Sequence, residues 1–391
     1  MSRLRAEWVL PASMLVGTFA WSFVYVSLPF HIQKMSSLDP AATLRWTGWI
    51  LGISPLITVL TAPISGRLGE HIDPKRGFIA VQAFQGLGFL GMAAARTLPE
   101  MLAARMLLGL MGAVSTFAFI MVGRSGGDVR RQVSYIQSGM TLGQVLGPAA
   151  GAIVAARIGF RLSFVLGAVM LWACSALVSW GVPPGGPRDP KAAQGRPTSV
   201  RELVTVSLVV LAGSTQIFFL TSILPQILPP LGVATEATLE VGGFLIFATG
   251  VAASLGAMAA PRLADLLGDR RAVLWFLLGS SLFLATLAIP GNVWVFGVLR
   301  FLQVLCIAPV FPLAVAAIAQ RASGGAIGFV NSSRIGAAFI GPVLATTLLS
   351  SLPPAAVYLV LAALGLAVVP LVARLDRRPR FRDDPGGGMT A

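Results

Sequence analysis

The sequence predicts an all-α polytopic membrane protein, with twelve transmembrane helices arranged as two pseudo-symmetric six-helix halves. Three observations predict it. First, 55% of the 391 residues are hydrophobic and only 11% are charged, with a mean hydropathy of +0.81; a soluble globular chain carries about 25% charged residues. Second, long apolar runs recur along the chain, and the basic residues concentrate on alternate loops. Third, landmarks of the first half return about 195 residues later. These features exclude a soluble enzyme, a secreted disulfide scaffold and a disordered regulator.

A bilayer-spanning helix takes roughly 20 apolar residues. Spans are expected at 8–30, 44–64, 77–95, 101–122, 133–155, 160–182, 203–225, 239–259, 272–289, 293–318, 325–349 and 354–373. The first run is too long for a signal-peptide core and has no evident cleavage site, so it is expected to be a permanent helix. Most loops are short, which makes consecutive helices antiparallel neighbours. The exception is 183–201, PPGGPRDPKAAQGRPTSVR, whose Pro, Gly and charge mark a linker. The expected division is a first half at 1–182, a linker at 183–201, a second half at 202–373 and a polar tail at 374–391.

Net charge is +14. In a soluble chain that would suggest nucleic acid; here it follows the loops. Of 29 Lys and Arg, 21 fall on the side of the two termini, five on the opposite side and three within spans. The positive-inside rule then places both termini in the cytoplasm of a multi-pass cell-membrane protein and requires an even number of spans. The lipid bilayer is the expected surrounding, with no nucleic-acid partner. Cys174 and Cys306 lie inside apolar runs and read as small core residues, and His31 and His71 are isolated. No metal or cofactor site is expected.

The repeat is specific. Gly66-Arg67-Leu68-Gly69-Glu70, followed by Lys75-Arg76, matches Pro261-Arg262-Leu263-Ala264-Asp265, followed by Arg270-Arg271, at an offset of 195. Arg105 maps to Arg300 at 195, Gly147-Pro148 to Gly341-Pro342 at 194, and Leu28-Pro29 to Leu224-Pro225 at 196. Two parallel repeats of this kind place a binding site near the midplane between them.

Three motifs accompany the repeat. The loop from Gly66 to Arg76 sets a carboxylate beside basic residues, with a second copy at Leu263–Arg271. Span four carries Arg105-x-x-x-Gly109-x-x-x-Ala113, and small residues every four positions let a neighbouring helix approach closely. Span five carries Gly139-x-x-x-Gly143-x-x-x-Gly147-Pro148-x-x-Gly151; its first three glycines stack on one face and Pro148 bends the helix. That face is expected to pack at the interface of the halves. On these motifs the chain resembles the major facilitator superfamily over residues 8–373, and the span-five run resembles its drug:proton antiporter branch. Gly159-Phe160-Arg161 resembles the G-W-R of the same branch. The first loop departs from the family pattern at Glu70, His71, Asp73 and Pro74.

The resemblance implies a secondary transporter working by alternating access, an exporter of amphipathic or drug-like compounds driven by a proton gradient, acting as a monomer on a small-molecule substrate. The other reading is an exporter or uniporter of an anionic or polar metabolite. The loop residues Gly66, Glu70, Lys75, Arg76, Asp265, Arg270 and Arg271 would latch the cytoplasmic side by pairing across the halves. Family cavity positions on spans one, four, five, seven and ten correspond to Trp21, Tyr25, Phe117, Gln137, Gln144, Gln216 and Gln303.

No Asp or Glu lies well inside a span, whereas Arg105, Arg300 and Arg334 do. Inserting an arginine at mid-depth costs about 3 kcal/mol, so its position is not incidental. Arg334 is nearest the centre of its span and shares a face with Asn331, one turn away. Arg334 is expected to face the central cavity or a buried partner, and with Asn331 it could bind a carboxylate, phosphate or polar group. Arg45 and Glu240 occupy repeat-equivalent positions at the outer ends of spans two and eight and are expected to form a gate pair. A membrane enzyme would need a catalytic histidine or a carboxylate pair, and the sequence offers neither.

Overall fold

The computed structural model describes residues 3–112, 114–123, 129–183, 200–319 and 324–374. The described elements are all helical. The first half contains α1 (Arg3–Met35), α2 (Pro40–His71), α3 (Pro74–Ala94), α4 (Leu98–Leu110), α5 (Val114–Gly123), α6 (Val129–Ile158) and α7 (Phe160–Gly181). The second contains α8 (Val200–Phe218), a 3-10 turn (Leu220–Ile223), α9 (Leu224–Ile227), α10 (Thr238–Leu267), α11 (Asp269–Thr286), α12 (Val293–Ile307), α13 (Val310–Ala319), α14 (Gly324–Leu349), α15 (Pro354–Ala367) and α16 (Val369–Arg374). Most of the expected linker and the tail beyond Arg374 lie outside the described residues.

Twelve spans account for these helices, because four spans are broken. Span four breaks between α4 and α5 and span ten between α12 and α13, at equivalent points of the repeat. Pro309 explains the second break, since it has no N–H to continue the ladder. Span seven passes from α8 through the 3-10 turn into α9, ahead of Pro225, and span twelve breaks at Val368.

Helix starts follow from local chemistry. Asp73 caps α3, accepting from the Lys75 N–H at 3.0 Å, with Pro74 already holding a helical φ. Thr97 caps α4 and Asn292 caps α12, again at an offset of 195. A single residue, Gly268 at φ 80°, reverses the chain between α10 and α11, a conformation that suits glycine.

Within the first half α1 packs on α6 and α3 on α7; within the second, α11 packs on α12 and α15. Across the halves α2 meets α14 and α6 meets α10. The bridging contacts lie toward the end opposite the termini. Gly48 and Gly52 sit against Phe339, Pro342, Val343 and Thr346, and Gly243 against Pro148 and Ala152. One apolar cluster there joins Val26, Phe30, Ala152 and Ala155 to Ile223, Leu224, Leu228 and Leu239. Toward the termini the buried clusters each draw on one half. The halves are therefore closed together at the far end and diverge at the end of the termini.

The outer surface is apolar, as a lipid-facing surface must be. Trp180 is 78% exposed at one end of the bundle and Trp294 82% at the other, the two levels where tryptophan anchors a bilayer span. Cys174 is buried and donates to the Ser13 carbonyl at 3.3 Å.

Candidate substrate cavity

Arg105 is 1% exposed and stays inside the first half. Its Nε donates to the Ile50 carbonyl and its NH2 to the Leu51 carbonyl, both at 3.0 Å. The Leu51 carbonyl is available because Pro55, four residues on, has no N–H for it. Ser54 returns a hydroxyl to the Arg105 carbonyl at 2.7 Å. Four residues along, Gly109 lets the α2 backbone approach: a Cβ there would lie 2.6 Å from the Ser54 oxygen. The guanidinium stands over Trp21 at 5.6 Å and Tyr25 at 5.8 Å.

Arg300 is equally buried. It donates to the Gln216 and Ile217 carbonyls, each at 2.8 Å, in the last turn of α8, where helical carbonyls lack an intrahelical partner. It also bonds the Gln303 side chain and stands over Phe219 at 5.0 Å. Gln303 continues to Ser280, and Ser280 to Gln216 at 2.6 Å. Gln216 reaches Ser281 at 3.1 Å. Gln216, Gln303 and Ser280 are fully buried, and Ser281 is 1% exposed. This corrects the cavity assignment of Gln216 and Gln303: they form the polar core of the second half. Phe117 is corrected likewise. It is 2% exposed and packed against Gly77.

The glycines of span five face α1, not the interface of the halves. Gly139 lies on the Pro11 carbonyl, Gly143 on Leu15, Gly147 on Phe19 and Ser22, and Gly151 on Phe23. A Cβ at Gly147 would meet the Phe19 carbonyl oxygen at 2.8 Å. Contact with the second half comes from another face of α6, through Val145, Pro148 and Ala152 against Gly250 and Gly243.

The faces of α6 also orient its polar residues. Leu142, Leu146 and Ile153 are exposed along one stripe. At 100° per residue, Gln137 and Gln144 fall on the opposite stripe, between the faces that hold α1 and α10, and both are exposed. They therefore line the space where the halves diverge. At an offset of 194 their counterparts on α14 are Asn331 and Ala338. Asn331 is exposed and Arg334 half-buried on that same side of α14, away from Phe329 and Ile340. The Arg334 guanidinium stands 4.7 Å from the Phe311 ring centroid. No acidic partner faces it among the described residues. Trp21 and Tyr25 are half-buried at the Arg105 level. Both pack against the core of the first half, so the groups on the open faces of α6 and α14 are amide and cationic.

Lys75 and Arg270 of the two loops each bond within their own half. Lys75 Nζ donates to the Ser179 carbonyl at 2.8 Å, at the end of α7. Its repeat counterpart Arg270 donates to the Ala373 carbonyl, in α16. A cation at a helix C-terminus meets both the unpaired carbonyls and the dipole. Both bonds stay within one half at the end where the halves diverge, so the pairing expected across the halves when that end is shut is not engaged here among the described residues. Arg76, Asp265 and Arg271 are exposed, while the surroundings of Gly66 and the side chain of Glu70 lie outside those described.

The expected gate pair is not formed. Arg45 is exposed and lines a separate cavity of about 370 Å³ with Ala42, Trp46, Trp49 and Leu102, and no ion pair joins it to Glu240 among the described residues. The cause is the repeat itself. Equivalent helices sit on opposite sides of the pseudo-axis, so α2 meets α14 while α10 meets α6.

Four contributors escaped sequence reasoning. Gln85 accepts from Trp21 Nε1 at 3.0 Å and donates to the Met111 carbonyl at 2.7 Å, tying α1 to the broken end of α4. Ser280 is its counterpart at 195, so the repeat could have found both. Pro55 was visible as a helix-interior proline. Phe311 carried no distinguishing signal.

The sequence profile of the Major Facilitator Superfamily matches residues 12–230 and again 206–389. The chain is 26% identical over 330 residues to the uncharacterized MFS-type transporter YuxJ of Bacillus subtilis, covering 81% of this chain and 83% of that one. It is 24% identical over 298 residues to the multidrug resistance protein MdtG of Proteus mirabilis, covering 72% of each. Among solved structures, the nucleoside transporter NupG superimposes with a TM-score of 0.73 at 11% identity, over 96% of this chain and 100% of that one. That structural likeness speaks for the fold. The matches span both halves, and the chain, a multi-pass transporter of the cell membrane and not an enzyme, belongs to the Major Facilitator Superfamily.

Proposed function

We propose that the protein is a secondary transporter that exports small amphipathic compounds by alternating access. The observation that carries this is the arrangement of the halves: closed together at Gly48, Gly52 and Gly243, and apart at the end of the termini. With the termini in the cytoplasm, as the basic loops imply, the cavity opens inward and can take substrate from the cell. The similarity to MdtG supports drug-like substrates.

The reading has two forms, which differ in charge and coupling. The first exports drug-like compounds in exchange for protons, and it rests on the span-five motif. The second exports an anionic or polar compound, and it rests on Arg334, a half-buried cation over Phe311 with no acidic partner among the described residues. A cell accumulation assay with cationic, neutral and anionic compounds, with and without a pH gradient, separates them. Accumulation unchanged by the protein across the whole panel would refute export.

A further inference from the structure

We infer that the substrate is an aromatic organic anion and that the membrane potential drives it outward, with no coupled proton. The inference rests on the anionic form of the transporter reading. Arg334 supplies a cavity charge that no carboxylate cancels among the described residues. A guanidinium does not lose its proton in a protein, so Arg334 stays positive through the cycle. Phe311 beneath it gives an aromatic wall, and Asn331 and Gln137 add amide donors at matching positions of the two repeats. A carboxylate or sulfonate on a flat aromatic body fits this set: a bidentate acceptor for the guanidinium and a ring for the Phe311 side.

The coupling follows from where the protonatable groups are. Every one of the 15 Asp and Glu stands in a loop, a tail or within five residues of a helix end. A tyrosine ordinarily holds its proton to about pH 10. Among the described side chains His31 is the sole imidazole, and it stands in the outer part of α1, packed against α7 of its own half. It is 7% exposed at the closed end of α1, wedged between Phe160 at 5.1 Å and Phe164 at 5.4 Å, with neither ring nitrogen paired. With no proton carrier in the cavity among the described residues, the charge moved per cycle is the charge of the substrate. An inside-negative potential then expels an anion, by about fifty-fold at equilibrium per 100 mV for one charge.

The test uses the full chain in liposomes buffered at one pH on both sides, with valinomycin and a potassium gradient setting the potential. The probes are naphthalene-2-sulfonate and 5-carboxyfluorescein, with ethidium as the permanent cation. A sulfonate has no protonated form near pH 7, so no proton can ride on it. Both anions should leave inside-negative vesicles and accumulate in inside-positive ones, and a pH gradient without a potential should move neither. In Arg334→Gln the initial rate should fall at least tenfold while cooperative thermal unfolding persists. Full anion flux in a folded Arg334→Gln overturns the site, and wild-type flux that follows the pH gradient and ignores the potential overturns the coupling. Ethidium moving while both anions stay overturns the inference and leaves export standing. No probe moving under either gradient overturns export as well. Reversal with the sign of the potential is read on the wild type, so it decides even if the variant fails to insert.

Discussion

Arg105 and Arg300 stand 195 positions apart at equivalent places in the repeat, and each holds two consecutive backbone carbonyls of another helix. The helices held are not equivalent. Arg105 holds α2, while Arg300 holds α8, the counterpart of α1. The reason is one residue: where α2 has Pro55, the counterpart helix α10 has Gly250, which keeps its N–H and frees no carbonyl. The second arginine finds its unpaired carbonyls instead in the last turn of α8, where span seven breaks.

This relation gives the first prediction. Arg105→Met leaves the Leu51 carbonyl buried and unpaired, a cost of about 1–3 kcal/mol. Pro55→Ala supplies the missing N–H, so Pro55→Ala should recover part of the loss caused by Arg105→Met. The thermal unfolding midpoint in detergent measures it. Simple additivity of the two changes would show that the arginine does not serve the proline-freed carbonyl.

The sequence exposed the architecture more fully than the site, for a physical reason. Hydropathy, the basic-loop bias and the repeat are properties of whole segments, and each constrains many residues at once. A side chain's direction depends on which neighbour its helix face meets. Gln216 and Gln137 both read as polar residues within a span, yet one is sealed among Arg300, Gln303 and Ser280 and the other faces open space. The glycine spacing of span five marked a close approach correctly but carried no information on whether α1 or α10 made it. Arg334 was legible because charge at mid-depth is costly wherever it points.

The second prediction concerns orientation. On the positive-inside rule, the 21-to-5 bias of basic residues would place the segment between the halves in the cytoplasm. In a background lacking Cys174 and Cys306, Pro190→Cys should resist a membrane-impermeant maleimide in intact cells and react after permeabilisation. Labelling of intact cells would reverse the orientation and, with it, the inward-facing reading of the cavity.

The third concerns the outer-end charges. Arg45 and Glu240 share a repeat position and not a contact. Arg45→Glu and Glu240→Arg should therefore act independently, and the double swap should transport no better than the product of the two single effects predicts. Recovery in the double variant would mean that the two meet in a state other than this one.

The last prediction separates two classes of glycine. Gly143 and Gly147 hold α6 against α1 inside one half, so Gly143→Leu forces the half itself apart. Overpacking of this kind costs about 1–3 kcal/mol or more. Gly143→Leu should lower the unfolding midpoint as well as abolish transport. Gly243 lies instead where the halves meet, with a Cβ there falling 2.9 Å from the Pro148 carbonyl oxygen. Each half is unaltered by Gly243→Ala, so the midpoint should barely move. What changes is the closed end, since the collision exists only while α6 and α10 are together there. Such a substitution acts as a differential penalty on one of two states and shifts their populations accordingly. A single cysteine beside this contact, at Leu239 in a background lacking Cys174 and Cys306, should label faster from outside in Gly243→Ala than in the parent. Equal labelling rates would mean that the Gly243 contact does not hold the outer end shut.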